Sequence, residues 1–525
     1  MRHTLIALAI VLIAASASAQ TAVQSTAATC AALMKLQVPG VNLTVQSAQW
    51  NEAGPMAAGR AGGPPSGVTL PAYCRLNGAI DPRIGANGVS YAIGFALALP
   101  ANWNGRFLQQ GGGGLNGSIG NPIGAQATGN TPALARGFAV VSTDTGHTGK
   151  GGFDGSFQQD QQASLDFAYA AIGKVAEVAK RIIATHYQKP VDKSYFAGCS
   201  TGGREGMMLS QRYPRLFDGI VSGAPAMRTA YSGIGDQWVA VQLNQVAPKN
   251  AQGQPDTRNA LTETQKQGVI NGFLAACDEL DGVKDGMVFN TASCKFDPRA
   301  LVCKGGAAGD CLTQAQADAL VRGFAGPKDS KGKQVYPGFL FDTGLTATQG
   351  IAGLLHGGQS PVGGNFAAIT MDVDAAAERA AADPAEGLST TSRWVNLNAF
   401  AHPTHQGKLL FYHGVSDPWF SALDTIDYYE RLTKANGGPE QVRNWSRVFL
   451  SPGMGHCSGG TAALDTFDAL SAVVDWVEKG VAPTSITATG RAFPGRSRPL
   501  CAYPLHTHYK GTGSTDDAAN FECRP

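Results

Sequence analysis

Apolar and polar positions along the chain sort it into short buried strands and longer amphipathic helices. "YAIGFALALP" (Tyr91 to Pro100) and "GFAVVSTD" (Gly137 to Asp144) read as strands, and "RFLQQGGGGLNG" (Arg106 to Gly117) as a short apolar run entering a glycine loop. From Ser164 to Gln188 the apolar residues Leu165, Tyr169, Ile172, Val175, Ala176, Val178, Ala179 and Ile182 recur three to four apart, which predicts a long amphipathic helix. The strand "KSYFAG", the helix "GREGMMLSQRY" and the strand "GIVSGAP" follow in order. Such alternation predicts an α/β fold class, with a parallel sheet covered by helices on both faces.

Beyond Pro225 the pattern changes. The stretch from Ala226 to His402 holds helix-like runs such as "LTETQKQGVINGFLAACDEL", four cysteines, glycine-rich loops and little strand signal. Strands resume at "KLLFYHG" (Lys408 to Gly414) and "SRVFLSPG" (Ser446 to Gly453). An insertion between two parts of one sheet is how lids are built over active sites. Residues 20–225 and 403–525 are therefore expected to form one catalytic domain, and residues 226–402 a lid.

The first residues alter the picture of where the chain works. "MRHTLIALAIVLIAASASAQ" has a basic start, an apolar run too short to span a bilayer and a small-residue "ASA" ending at Ala19, the form of a secretory signal peptide over residues 1–19. A membrane anchor is the alternative, disfavoured by that length. The expected location is secreted or periplasmic, where disulfides persist. The ten cysteines include no CxxC pair and no zinc-like Cys/His spacing, so they read as a disulfide framework. A net charge of +2, with 15% charged residues, gives no electrostatic case for nucleic acid or an anionic membrane as a partner.

The candidate chemistry centres on "GCSTG", a G-x-S-x-G between a strand and a helix. A sharp strand-to-helix turn needs the small neighbours Gly198 and Gly202 and presents the middle residue, Ser200, above the sheet. Its hydroxyl needs a base held by a carboxylate. "HGVSDPWF" supplies Asp417 and "SPGMGHCSGG" supplies His456, each just after a strand. The chain order Ser, Asp, His is that of α/β-hydrolases, so the fold expected is an α/β-hydrolase with a large inserted lid domain. Cys199 precedes the serine and Cys457 follows the histidine, so a bridge between them would tie the two loops together; a free thiol or a nucleophilic Cys199 are the alternatives. One oxyanion donor is expected at the Thr201 N–H, and a second in the glycine run that Gly111 opens, at Gly111.

These residues resemble the tannase and feruloyl esterase family of secreted serine esterases. The resemblance is carried by "GCSTGGREGMMLSQRYPRLFDGIVSGAP", "YHGVSDPWFSALDTIDYYERL" and "PGMGHCSGG". It implies a disulfide-linked triad of Ser200, His456 and Asp417, with Cys199 bridged to Cys457. It also implies a structural calcium ion in the lid, at "CDELDGVKDGMV". There Asp278, Asp281 and Asp285 bring hard carboxylate oxygens to one tight turn, with the carbonyls of Val283 and Met287 at alternate positions. Without the resemblance that turn reads equally as solvated acidic surface. Local spacing together with the family pattern pairs Cys30 with Cys74, Cys277 with Cys294, Cys303 with Cys311, and Cys501 with Cys523.

The implied reaction is ester hydrolysis through an acyl-enzyme, with calcium acting on the lid alone and no cofactor in the chemistry. The family's substrates are esters of aromatic acids: hydroxycinnamates such as ferulate, gallates, and in one branch the mono(2-hydroxyethyl) ester of terephthalate. The serine and aspartate segments resemble that last branch, in which Phe420 matches an acyl-pocket residue; His413 and His147, at strand ends, are further pocket candidates. The branch also uses a lid arginine for the free carboxylate, and "HGGQSPVGGNFAAITMDVDAAAER" offers no counterpart. Feruloyl esters are therefore ranked first, with a small aromatic ester or a plant cell-wall feruloylated saccharide as the partner. Galloyl esters, the terephthalate monoester, a peptidase and an inactive calcium-binding adhesion or carbohydrate module are the alternatives.

Overall fold

The computed structural model describes residues 22–56, 67–304, 311–346 and 367–525, so the signal segment 1–19 lies outside the described residues. One sheet organises the chain: β1 Leu43–Asn51, β2 Tyr73–Ile84, β3 Ser90–Pro100, β4 Arg106–Gln110, β5 Ala139–Thr143, β6 Lys193–Cys199, β7 Gly219–Gly223, β8 Lys408–Gly414 and β9 Ser446–Ser451. Their spatial order is β1-β2-β3-β5-β4-β6-β7-β8-β9. The helices that matter below are α1 Ala171–Tyr187, α2 Thr201–Arg212, α3 Thr229–Asn244, α4 Glu263–Cys277, α5 Gln314–Ala325, α6 Ala422–Ala435 and α7 Ala469–Lys479.

The fold is that of an α/β-hydrolase, but the sheet is parallel only from β5 to β9. β1, β2, β3 and β5 pair antiparallel. This corrects the all-parallel expectation, and the reason is local: the connection from Ile84 to Ser90 is too short for a helical crossover, so β2 and β3 form a hairpin. In the parallel part, alternate side chains feed two cores. Phe107, Phe196 and Phe411 pack with Ile172, Val175 and Ile182 of α1 on one face, and Leu108, Tyr195 and Leu410 pack with Leu470 and Val473 of α7 on the other. Burial on both faces is why these strands read as continuous apolar runs.

Between β7 and β8 the chain leaves the sheet. The described residues there contain α3, α4, α5 and shorter helical turns, and none of the main-sheet strands. They pack an apolar cluster of their own that includes Val239 and Leu243 of α3, Ile270 of α4, and Leu320 and Phe324 of α5.

The helix foreseen from Ser164 to Gln188 is interrupted. A π-helical turn, Asp166–Ala170, precedes α1. A wide turn shifts the hydrogen-bond register, and Arg204 of α2 takes up the slack: its guanidinium donates to Ala168 O at 2.6 Å and Phe167 O at 3.1 Å, and lies 4.7 Å from the centre of the Phe167 ring. Arg204 is 2% exposed, so these carbonyls stand in for water. Arg204→Leu is expected to lower unfolding free energy by about 2–4 kcal/mol, read from the urea midpoint, because two buried carbonyls lose their donors.

Candidate active site

The carboxyl ends of the parallel strands lie side by side, since Cys199 pairs with Gly223, Gly223 with Tyr412, and Gly414 with Ser451. Ser200 follows β6 directly, and Asp417 and His456 follow β8 and β9 within a few residues, so three distant parts of the sequence meet at one sheet edge. Ser200 has φ 64° and ψ −123°, the strained conformation that turns a strand into a helix and lifts its side chain off the sheet. The turn has no room for bulk. A Cβ on Gly198 would come within 2.6 Å of the Gly202 backbone, and one on Gly111 within 2.5 Å of Gly202 Cα.

His456 Nδ1 and Asp417 Oδ2 are 2.8 Å apart. The imidazole therefore donates through Nδ1–H and keeps Nε2 as its acceptor. Asp417 Oδ1 accepts from the Trp419 N–H at 2.9 Å and the Phe420 N–H at 3.2 Å. Burial opposes the Asp417 charge, yet His456 and His413 outweigh it and hold the carboxyl well below the usual carboxylate range.

His413 is not a pocket residue, which corrects the sequence reading. It is fully buried: Nδ1 lies 2.8 Å from Thr425 Oγ1, and Nε2 lies 2.9 Å from Phe420 O and 3.2 Å from Asp417 Oδ2. A carbonyl can only accept, so Nε2 carries the proton and points between Phe420 O and the carboxylate. The last residues of β8 alternate faces, and this one turns inward behind Asp417.

The oxyanion assignment also changes. The Gly111 N–H is already spent on Ala197 O at 2.9 Å, continuing the β4–β6 ladder, and the Gly112 N–H donates to Glu205 Oε2 at 3.1 Å. Gly113 is the next amide of the run, and a Cβ there would meet nothing within 4 Å. Thr201 opens α2 directly after Ser200, so its N–H is one of the first of the helix and has no intrahelical acceptor. The loop is clamped to α2 by the Gly202 N–H to Gly112 O at 3.1 Å, by the Thr201 hydroxyl to Gly114 O, and by Glu205 Oε1 accepting from Asn116 at 2.7 Å.

Ser200, Thr201, Gly111 to Gly114, His456 and Phe420 line one cleft of about 880 Å³. Its walls include Phe153, Phe157, Phe167 and Trp419. Phe420 stands 5.3 Å from the His456 ring, and Phe153 stacks on Trp419 at 5.7 Å. Two buried carboxyls that sequence reading missed, Asp236 of α3 and Glu386, also line it from the inserted segment. Burial pushes both above the usual carboxyl range, and the Asp417 charge adds to the effect at Asp236. The available signal was an acidic residue on the apolar face of "SGIGDQWVAV".

The family model described as "Tannase and feruloyl esterase" matches residues 74–382 and 364–524. The mono(2-hydroxyethyl) terephthalate hydrolase of Piscinibacter sakaiensis is 37% identical over 92% of this chain and 89% of its own. A protein of Arthroderma benhamiae named as a probable feruloyl esterase is 32% identical over 94% and 93%. The crystal structure of feruloyl esterase B from Aspergillus oryzae superposes with a TM-score of 0.76 at 29% identity, covering 95% of this chain and all of that one. The chain belongs to the tannase and feruloyl esterase family.

As in the pairing implied by the tannase and feruloyl esterase family, Cys199 is bonded to Cys457, with Cα atoms 5.9 Å apart. The other four pairings also form: Cys30–Cys74, Cys277–Cys294, Cys303–Cys311 and Cys501–Cys523. His147 is buried against Phe157, its ring 3.8 Å away, and is absent from the cleft lining. Of residues 356–379, where the sequence offers no counterpart to a carboxylate-binding arginine, 356–366 lie outside the described residues.

The acidic turn after α4 is partly engaged by the protein itself. Asp278 accepts from the Gly286 N–H at 3.1 Å, Asp281 Oδ2 accepts from Phe289 N–H at 2.9 Å, and Asp285 is paired with Arg498. Among the described residues no group of three or more His, Cys, Asp or Glu side chains is arranged to hold a metal. One feature does suit a hard cation: Asp281 Oδ1 is buried with no hydrogen-bond partner.

Replacing Asp417 by Asn makes the side-chain amide face Nδ1 of His456, which selects the wrong tautomer. Turnover is expected to fall about 10³- to 10⁴-fold with KM little changed, measured by initial rates on an activated ester. A Cys199→Ser, Cys457→Ser double variant is expected to lose up to about 5 kcal/mol of stability, read by denaturant unfolding, since the bridge closes a loop of 258 residues.

Proposed function

We propose that this carboxylic ester hydrolase cleaves esters of aromatic acids, feruloyl and related hydroxycinnamoyl esters first, by a Ser-His-Asp acyl-enzyme route. The observation that carries the reading is the pairing of His456 Nδ1 with Asp417 beside the strained Ser200, within one aromatic-walled cleft. Ser200 Oγ attacks the ester carbonyl while His456 Nε2 takes its proton. The tetrahedral oxyanion is held by the N–H groups of Thr201 and Gly113. Collapse expels the alkoxide, which His456 protonates, leaving an acyl-serine. Water then attacks with His456 again as base, and the acid is released with Ser200 regenerated.

The acyl ranking rests on charge. Among the described residues the one arginine lining the cleft, Arg204, is spent on the Phe167 and Ala168 carbonyls, so the described wall offers no free guanidinium or ammonium to an anionic terephthalate monoester and suits a neutral phenolic acid ester better. The terephthalate monoester is the second reading, favoured by the 37% identity to a hydrolase of that name. Residues 226–402 act as the lid that supplies this wall. Asp278, Asp281 and Asp285, with the carbonyls of Val283 and Met287, hold a structural calcium ion in it, a role supported by the partnerless oxygen of Asp281. The protein is exported, to the periplasm or beyond the cell, where five disulfides persist and feruloylated cell-wall saccharides are within reach. No helix of the described residues is long and apolar enough to cross a membrane.

Initial rates on methyl ferulate, methyl gallate and mono(2-hydroxyethyl) terephthalate test the reading, with Ser200→Ala as control. Ferulate is expected to be turned over fastest and the variant to lose at least about 10³-fold on every ester. Activity confined to the terephthalate ester would reverse the ranking; activity on none would overturn the hydrolase reading. Chelation of calcium is expected to lower the melting temperature by several degrees, with recovery on adding Ca²⁺ but not Mg²⁺, read by scanning fluorimetry.

A further inference from the structure

Asp342 lies in the inserted segment, far from the triad in sequence, and is 2% exposed. Its Oδ2 accepts the Ser416 hydroxyl at 2.8 Å and the Gly453 N–H at 2.6 Å, while Oδ1 accepts the Thr343 N–H at 2.8 Å. Ser416 immediately precedes Asp417, and Gly453 lies three residues before His456. One oxygen atom therefore joins the turn that carries the acid to the turn that carries the base.

The surrounding chain shows the same docking. The Gly344 N–H donates to Ser416 Oγ at 3.1 Å, and a Cβ on Gly344 would come within 2.4 Å of Ser416 Cβ, so only glycine permits this approach. Gly453 has φ +71°, and a Cβ there would stand 1.9 Å from Ala462 O and 3.0 Å from Thr343 Oγ1. Further along, Tyr336 Oη accepts the Ser421 N–H at 3.0 Å and Gly338 O accepts the Ser421 hydroxyl at 2.5 Å, which fixes the first turn of α6. The two catalytic turns also touch directly, through the Ser416 N–H and Met454 O at 3.0 Å.

We propose that Asp342 is a positioning residue of the hydrolase: from the insertion, its carboxylate sets the register between the Asp417 and His456 turns, so that the acid–base pair is aligned only while this strap is docked. The proposal rests on the triad reading above. It makes the strap a part of the catalytic machinery as well as a support for the cleft wall. A carboxylate suits the position because a charged oxygen can take two donors that would otherwise be buried without partners.

The test compares wild type, Asp342→Asn and Ser416→Ala in the secreted, oxidised protein. It uses steady-state rates on methyl ferulate and on the small ester p-nitrophenyl acetate, and the rate of covalent labelling by a fluorophosphonate probe. In Asp342→Asn one face of the amide presents N–H groups to existing donors. Turnover is expected to fall about 10- to 100-fold on both esters alike, with KM within about twofold and labelling slowed in parallel. Ser416→Ala, which keeps the Gly453 bond, is expected to show a smaller loss of the same pattern, and it carries the test if Asp342→Asn does not fold. Labelling and turnover at wild-type rates in a variant that only melts earlier would overturn the proposal. So would a rise in KM restricted to the larger ester, which would make the strap a pocket wall alone. A wild type inert to the probe would overturn the triad reading and this one with it, whereas a reactive wild type matched by its variants overturns this one alone.

Discussion

The Cys199–Cys457 bond joins positions 258 residues apart and abuts both Ser200 and His456, so the geometry of the site rests on it. Ser200 at φ 64° and Cys457 at φ 66° both occupy backbone conformations that L-residues seldom adopt. Such turns persist only when their surroundings hold them, and a covalent link between them makes each a brace for the other. The cost is dependence on an oxidising compartment, since reducing conditions would open the bond and free two strained turns together. The full set of paired cysteines belongs to the same design as the site they brace.

Buried carboxylates provide the second level of order. Asp417 accepts two backbone N–H groups beside its two histidines, Glu205 accepts Gly112 and Asn116, and Asp342 accepts Gly453, Thr343 and Ser416. A charge out of water is tolerated only when its lone pairs are filled, so each carboxylate demands donors at fixed places. That demand converts a desolvation penalty into geometry: Glu205 shapes the glycine loop, Asp417 orients His456, and Asp342 sets the two turns against each other. The catalytic edge is in this sense a set of mutually satisfied acceptors.

What the sequence disclosed followed from how local each signal is. The strands β4 to β9 are buried on both faces and stand out as apolar runs, and G-x-S-x-G between a strand and a helix marks the nucleophile with its own context. β1 was not legible because its burial pattern mixes intermediate and exposed positions, as an edge strand's does. Gly111 opens the run and so stands out as a donor in the sequence, whereas its hydrogen bond to Ala197 depends on the neighbouring strand β6. His413 sits at a strand end as pocket residues do, but which way its ring turns was decided by Thr425 and the Phe420 carbonyl. Asp236, Glu386 and Asp342 belong to the insertion, where partners are far away in sequence and periodicity carries no information about them.

The insertion thereby serves two ends that pull in different directions. As a wall it is free to vary, because Asp236 and Glu386 line the cleft without touching the Asp417–His456 pair. As a strap it must be constant, because Asp342 and Gly344 hold turns whose spacing the reaction fixes. The two duties are assigned to different stretches: the cleft side to α3 and to residues near 386, the docking side to residues 336–344 against Ser416, Ser421 and Gly453. A chain so divided can change its substrate by altering one stretch without disturbing the other. That separation is a physical route by which one scaffold can keep the geometry of Ser200, His456 and Asp417 while its cleft wall changes.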